Sequence, residues 1–389
     1  MSPLHPFDIS LFKNEWPVLL ECASPAPDQL KLATLVQAAD CSRLLILAEE
    51  HGVLGHLSAC LHALDTNLVP LEVKQSLKEY QRAQIFFSLR MVVELFRLLD
   101  RFASEGIGAL RVKGPVLSVQ AYGDPARRSY GDLDLLVRQG DIRRATELMM
   151  AAGYHAAVPL SAIDAGKIPG QYLFFKLDSK LLVELHNDLT LRYFPRRLPI
   201  EEFFARQIRV RLDGHEAPAL AVEDELVLIC IHGAKHFWER LMWIADVAAL
   251  VSRQTGIDWQ HVADSAQAVG AERMLHTGLR LASDLLQARL PREVQATVEA
   301  DVVAAQLAEQ SGKWLPAAGY APPGLFERAA FRLRMHGGLL SAPAYLLRLT
   351  LSPTEEDWND TGQAKVHWLP DAVRRPFRLA RKYGHRGNS

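Results

Sequence analysis

The sequence predicts an α+β protein in which a mixed α/β unit lies between helical N- and C-terminal lobes. Three observations carry this expectation. From about Leu30 to Leu99 apolar residues recur at helical spacing, as in "LLILAEEHGVLGHLSACLHAL" and "YQRAQIFFSLRMVVELFRLLDRFASEG", with glycines where turns fall. Between Gly106 and about Leu212 the pattern switches to short β-like runs separated by helical ones. Past "AVEDELVLICIHGAKHFWERLMWIADVAALV" helical spacing returns through about Leu349, with "LPAAGYAPPG" marking a connection. The boundaries expected are a helical lobe at 1–105, the α/β core at 106–215, a second helical lobe at 216–364 and a basic tail at 365–389.

Within the core the runs are "GALRVKG", "DLDLLV", the helix "DIRRATELMMAAGY", then "YLFFKL" and "KLLVELH". Only Asp178 and Ser179 separate the last two, which predicts an antiparallel hairpin. "HGAKHFWERLMWIADVAAL" reads as one helix, with Cys230, Ala234, Phe237, Leu241, Ile244 and Ala248 on its apolar face. His232, Lys235, His236, Glu239 and Asp246 fall on the other side, as solvent surface or as one wall of a cleft. His232 and His236 have the spacing of a zinc pair, but the glutamate of H-E-x-x-H is missing because Gly233 follows the first histidine. Trp238 and Trp243 read first as core and second as stacking surfaces for a base.

Composition excludes several classes. Lys plus Arg (44) nearly cancel Asp plus Glu (45), so no global field draws in nucleic acid or an anionic membrane. The four cysteines, Cys22, Cys41, Cys60 and Cys230, form no CxxC, against both a disulfide framework and a zinc knuckle. The start lacks a signal-peptide pattern and no run approaches a membrane span, so a cytoplasmic location is expected. In the tail Arg374, Arg375, Arg378, Arg381, Lys382 and Arg386 outnumber Asp371 and alternate with Trp368, Phe377 and Tyr383. That end is solvated, touches an acceptor or docks on an anionic partner; Pro370 and Pro376 weigh against a membrane-surface helix.

The chemistry concentrates in "KGPVLSVQAYGDPARRSYGDLDLLV", Lys113 to Val137. Residues two apart on a strand share a face, so Asp132 and Asp134 point one way while Leu133 and Leu135 point the other. Two carboxylates this close stay ionised only beside a cation, and a divalent ion with oxygen ligands, magnesium first, fits that chemistry. In "KLLVELHND", Glu184 and His186 alternate with Val183 and Leu185, so Glu184 becomes a third carboxylate if the strands are neighbours. Three carboxylates suffice for two ions. His186 is a secondary candidate, as a neighbour that orients Glu184. Lys113 and Gly114 end a strand before a helical stretch that has Pro115 at its first position, a physically reasonable phosphate cradle, and Arg128 offers a bidentate phosphate contact.

These residues carry a resemblance. Lys113-Gly114, the spacing from Arg128 to Asp132-x-Asp134, "DLDLLV", the helix ending in "AAGY" and the "VELH" strand resemble the DNA polymerase β-like nucleotidyltransferase superfamily. They are most similar to its uncharacterised bacterial branch, in which Lys-Gly replaces Gly-Ser. The resemblance implies a small mixed β-sheet nucleotidyltransferase core, two Mg2+ ions held by Asp132, Asp134 and Glu184, and a nucleoside triphosphate with ATP the nucleotide expected. It places Lys113 and Gly114 on the triphosphate, and Glu184 at the nucleophile-side ion or as base. Nucleotide-side contacts extend to Arg128, His186, His232, Lys235 and His236. The implied reaction transfers a nucleoside monophosphate to an acceptor hydroxyl or phosphate and releases pyrophosphate. Transfer of the γ-phosphate on the same scaffold and an inactive nucleotide- or partner-binding module are the alternatives. The acceptor is a small molecule, peptide, protein or RNA.

Overall fold

The computed structural model describes residues 12–64, 68–160, 163, 170–177, 181–190, 196–317 and 323–336. Four short helices, α1 (Glu15–Ala23), α2 (Gln29–Ala38), α3 (Cys41–Glu50) and α4 (Leu54–Ala63), precede the long α5 (Leu71–Ser104). Asp28 and Asp40 start α2 and α3 by accepting the backbone N–H groups two and three residues on, which satisfies donors that the helix leaves open. The core follows as β1 (Ala109–Val112), α6 (Gly114–Tyr122), β2 (Leu133–Val137), α7 (Ile142–Ala151), β3 (His155–Ala156), β4 (Gln171–Lys176), β5 (Leu181–His186), α8 (Ile200–Ala205), β6 (Ile208–Leu212) and β7 (His215–Ala219). The C-terminal part adds α9 (Val222–Lys235), α10 (Leu241–Arg253), α11 (Trp259–Val269), α12 (Glu272–Leu286), α13 (Arg292–Ala300), α14 (Val302–Trp314) and α15 (Leu325–Met335).

The fold is therefore α+β: among the described residues one seven-stranded mixed sheet runs in the order β3-β4-β5-β2-β1-β7-β6, flanked by helical segments. β1 runs antiparallel to β2, and β2 runs parallel to β5. β4 and β5 form the expected antiparallel ladder, Gln171 opposite His186 through Lys176 opposite Leu181. The predicted turn residues Asp178 and Ser179 lie outside the described residues, as does the basic tail.

Alternation along β2 divides the two cores. Leu133, Leu135 and Val137 pack with Met91, Leu95 and Met149 of α5 and α7. Leu136, with Leu110 and Val112 of β1, joins the larger core on the other face. That core takes helices from both ends of the chain, since Leu19 and Leu47 share it with Leu241 and Leu279. Each such leucine removed from water contributes about 1.5–3 kcal/mol, and the helices thereby fix the face of the sheet that carries Asp134. Among the described residues no helix is long and apolar enough to cross a membrane.

One expectation is corrected. The segment read as a single helix from His232 to Leu250 is broken after Lys235, and α10 begins at Leu241. Phe237 and Trp238 both take φ of 57°, and the N–H groups of Phe237 and Trp238 donate to the carbonyls of Ala234 and Gly233, which closes the helix end as a Schellman motif. Gly233 makes this possible because a Cβ there would lie 2.3 Å from the indole of Trp238. Asp246 of α10 is buried rather than part of a solvent-facing stripe.

Candidate active site

The sheet places the acids. Asp134 of β2 lies directly across from Glu184 of β5, and Leu136 across from His186, so Asp134, Glu184 and His186 share one face of neighbouring central strands. One ligand atom from each of the three lies within 4.8 Å of the other two, a spacing that suits a metal ion. His186 Nε2 stands 2.8 Å from Asp134 Oδ1 and 3.6 Å from Glu184 Oε2, so the histidine leans on Asp134 more closely than on Glu184, the residue it was expected to orient. Asp132 stands just before β2 and outside this compact trio, yet close enough for its charge to act on the others.

The charges are unevenly balanced. Burial would raise the Asp134 carboxyl, but Lys113, the hydrogen bond to His186 and the Arg128 charge hold it well below the usual carboxylate range. Glu184 moves the opposite way, raised by burial and then by the Asp134 and Asp132 charges against the opposing pull of His186 and Lys113. Asp132 is likewise raised, by burial and by Asp134. Two of the three carboxylates are thus held above their ordinary values by burial and by their companions' charges, the condition a bound cation relieves. The donor set therefore fits a divalent ion on its own chemistry.

Lys113 faces the acids from a strained turn. It caps α6 with φ 54° and ψ −138°, a region normally left to glycine that costs on the order of 1–3 kcal/mol, and Gly114 follows with φ 55°. The strain is held by α9. Glu225 accepts the Lys113 backbone N–H at 3.0 Å, and His232 Nδ1 lies 3.1 Å from the Lys113 ammonium. Burial and the Lys113 charge push His232 well down, so the ring is neutral and its Nδ1 accepts from the ammonium. His236 is lowered to about 4 by burial, Lys235 and Lys113. It stacks at a tilt between His232 and Trp243, with ring centroids 4.8 and 5.1 Å away. Lys235 sits in the last turn of α9, where its charge depresses both histidines. Trp243 is half-buried beside these rings, whereas Trp238 is wholly core.

Arg128 has a partner that its sequence neighbours do not reveal. Its Nε donates to Asp246 Oδ2 at 2.7 Å and its Nη1 to the Ser129 carbonyl at 3.5 Å, while Tyr122 donates its hydroxyl to Asp246 Oδ1 at 2.9 Å. All three residues are largely or wholly buried, and the Arg128 charge still reaches Asp132 and Asp134.

Two further charged residues escaped the sequence reading. Arg111 on β1 is 0% exposed, and none of its three guanidinium nitrogens has a hydrogen-bond partner among the described residues. Burial lowers it to about 10, so it remains a cation near Asp134 and Glu225. Nothing in "ALRV" distinguishes it from an ordinary strand arginine. Glu225 carried a usable signal: it stands seven residues before His232, and residues seven apart on a helix share a stripe, so the two reach the backbone and the side chain of Lys113.

A family model described as "Uncharacterised nucleotidyltransferase" matches residues 37–287, well over half of the chain. No curated protein matches it. The chain belongs to that nucleotidyltransferase family.

Proposed function

We propose that this member of a nucleotidyltransferase family moves a nucleoside monophosphate from a nucleoside triphosphate, ATP first, to an acceptor oxygen, with pyrophosphate as the leaving group. The observation that carries the reading is the convergence of Asp134 and Glu184 from adjacent strands, with Asp132 beside them and Lys113 opposite. Asp132, Asp134 and Glu184 are the residues that would hold divalent ions, Mg2+ in the simplest case. When bound, such an ion neutralises charge at the α-phosphate and favours ionisation of the attacking oxygen.

The chain's own groups do the positioning. The Lys113 ammonium, braced by neutral His232, is placed to bind the phosphates that leave. The backbone at Gly114 opens α6, where the helix N-terminus favours an anion. The acceptor oxygen forms a bond to the α-phosphorus as the bond to the bridging oxygen breaks, and the pair on that oxygen departs with pyrophosphate. Glu184, raised by burial and by its neighbours, is suited to take the acceptor proton when it is not engaged with an ion.

Incubation of the full chain with Mg2+ and each labelled nucleoside triphosphate tests this directly. The expected result is pyrophosphate release and an acceptor heavier by one nucleoside monophosphate. Asp132→Asn and Asp134→Asn should each lower turnover by about 100- to 1,000-fold, as removal of a central electrostatic group does. Undiminished pyrophosphate release in both variants would overturn the assignment. A product heavier by a single phosphate would move the reaction to the γ-phosphorus.

A further inference from the structure

A site made only of Asp-x-Asp and Glu presents hard oxygen ligands, the set that suits Mg2+. This chain adds a nitrogen. His186 is 6% exposed and follows Glu184 by two residues on β5, so both side chains leave the same face of a strand clamped between β2 and β4. Ligand atoms about 2.1 Å from a common ion stand about 3 Å apart at right angles and about 3.4 Å apart in a tetrahedron. The observed separations, 2.8 Å from Nε2 to Asp134 and 3.6 Å to Glu184, bracket those values. Two of the three separations therefore already suit one coordination shell, and the third lies within 4.8 Å.

We propose that His186 is an ion ligand through Nε2, and that the site prefers imidazole-tolerant ions such as Mn2+ and Co2+ over Mg2+. The proposal rests on the metal-dependent reading above and sharpens which ion serves it. On binding, the proton that Nε2 donates to Asp134 Oδ1 leaves to solvent, the ring carries its one remaining or returned proton on Nδ1, and the freed Nε2 lone pair meets the ion. Magnesium dehydrates reluctantly and favours oxygen; imidazole suits Co2+ and the ions after it best, and Mn2+, the weakest of that series, still takes a nitrogen ligand more readily than Mg2+. Sequence position alone makes His186 a neighbour of the acids; the parallel register of β2 and β5 is what brings its nitrogen to them.

The test is pulsed electron paramagnetic resonance of Mn2+ added to the full chain labelled with 15N-histidine. A directly bound nitrogen coupling is expected in the unaltered protein and should vanish in His186→Gln. The glutamine amide keeps a donor for Asp134, so a purely positioning role predicts an equal loss of Mn2+ and Mg2+ affinity. Direct ligation predicts that Mn2+ affinity falls about tenfold or more while Mg2+ affinity changes less than about threefold. Mn2+ bound without nitrogen coupling, or a coupling that persists in His186→Gln, overturns the proposal and leaves nucleotidyl transfer standing. Failure of the unaltered protein to bind either ion, even with a nucleoside triphosphate present, overturns both readings.

Discussion

The Arg128–Asp246–Tyr122 cluster and the Asp134–Glu184–His186 cluster are both buried and both charged, yet only the first closes on itself. Asp246 receives an arginine on one oxygen and a tyrosine hydroxyl on the other, and its charge is matched within hydrogen-bond distance. In the second cluster two carboxylates from facing strands share one imidazole, and Asp132 adds a third negative charge. A complete set of partners marks a structural brace; a deficit of positive charge at fixed geometry marks a place for a cation. The same rule separates two residues of "ARRSYGDLD": Arg128 is bound into the brace, and Asp134 belongs to the open site.

The sharpest test of this contrast is on stability. Asp246→Ala strands the Arg128 charge in a buried position and should destabilise the fold by about 3–5 kcal/mol, read as a lower urea midpoint with an unchanged slope. If Asp246→Ala is no more harmful than loss of a carboxylate at the open site, the two clusters are not different in kind.

Glu225 lies between the two and gives the next largest effect. Burial raises its carboxyl to about 7, opposed by the Lys113 N–H bond and the Lys113 and Arg128 charges and assisted by Asp134. A group raised on folding binds its proton more tightly in the native state. Its favourable contribution is complete below about 4.5 and is lost as pH rises to about 7. At 1.36 kcal/mol per pH unit this amounts to about 3 kcal/mol across that window. Glu225→Gln keeps an acceptor for Lys113 and cannot titrate. The difference in urea stability between the two proteins should therefore shift against the unaltered chain between pH 4.5 and 7 and flatten above. A flat difference throughout would show that Glu225 is already ionised in the fold.

The sequence made the local elements and the β2 acids readable because alternation and helical spacing are properties of neighbouring residues. Asp132 and Asp134, the hairpin of β4 and β5 and the Lys113-Gly114 turn before α6 all follow from such spacing. What it could not show depends on partners far along the chain. Arg128 meets Asp246 from 118 residues away, and whether it faces a ligand or a brace depends on where α10 lands. The break at Phe237 and Trp238 hid for a related reason. Helical periodicity runs straight through it, and only the packing of the indole on Gly233 ends the helix. Glu225 looked like one of three acids favouring a helix N-terminus, which Glu223 and Asp224 also satisfy.

The smallest effect is the most telling, because it should have the opposite sign. Glu184 is partly buried beside Asp134 and Asp132, and both burial and those charges disfavour its ionised form, with His186 and Lys113 opposing them. Replacing it by glutamine removes the charge and keeps the shape and an oxygen opposite Gln171, from which Glu184 now accepts a hydrogen bond. The fold should gain about 1 kcal/mol, the increment that relief of a strained functional position commonly gives. Since Glu184 is raised in the native state, the gain should be present near pH 7 and should shrink as pH falls and the unaltered carboxyl takes up its proton. Divalent-ion binding should weaken in the same variant, so that added Mn2+ raises the unfolding midpoint of the unaltered chain more than that of Glu184→Gln. Stability gained without the ion and lost with it would identify the Glu184 charge as one retained for binding. A stability loss at pH 7 without the ion would instead place Glu184 with Asp246, among the carboxylates whose charge the fold itself requires.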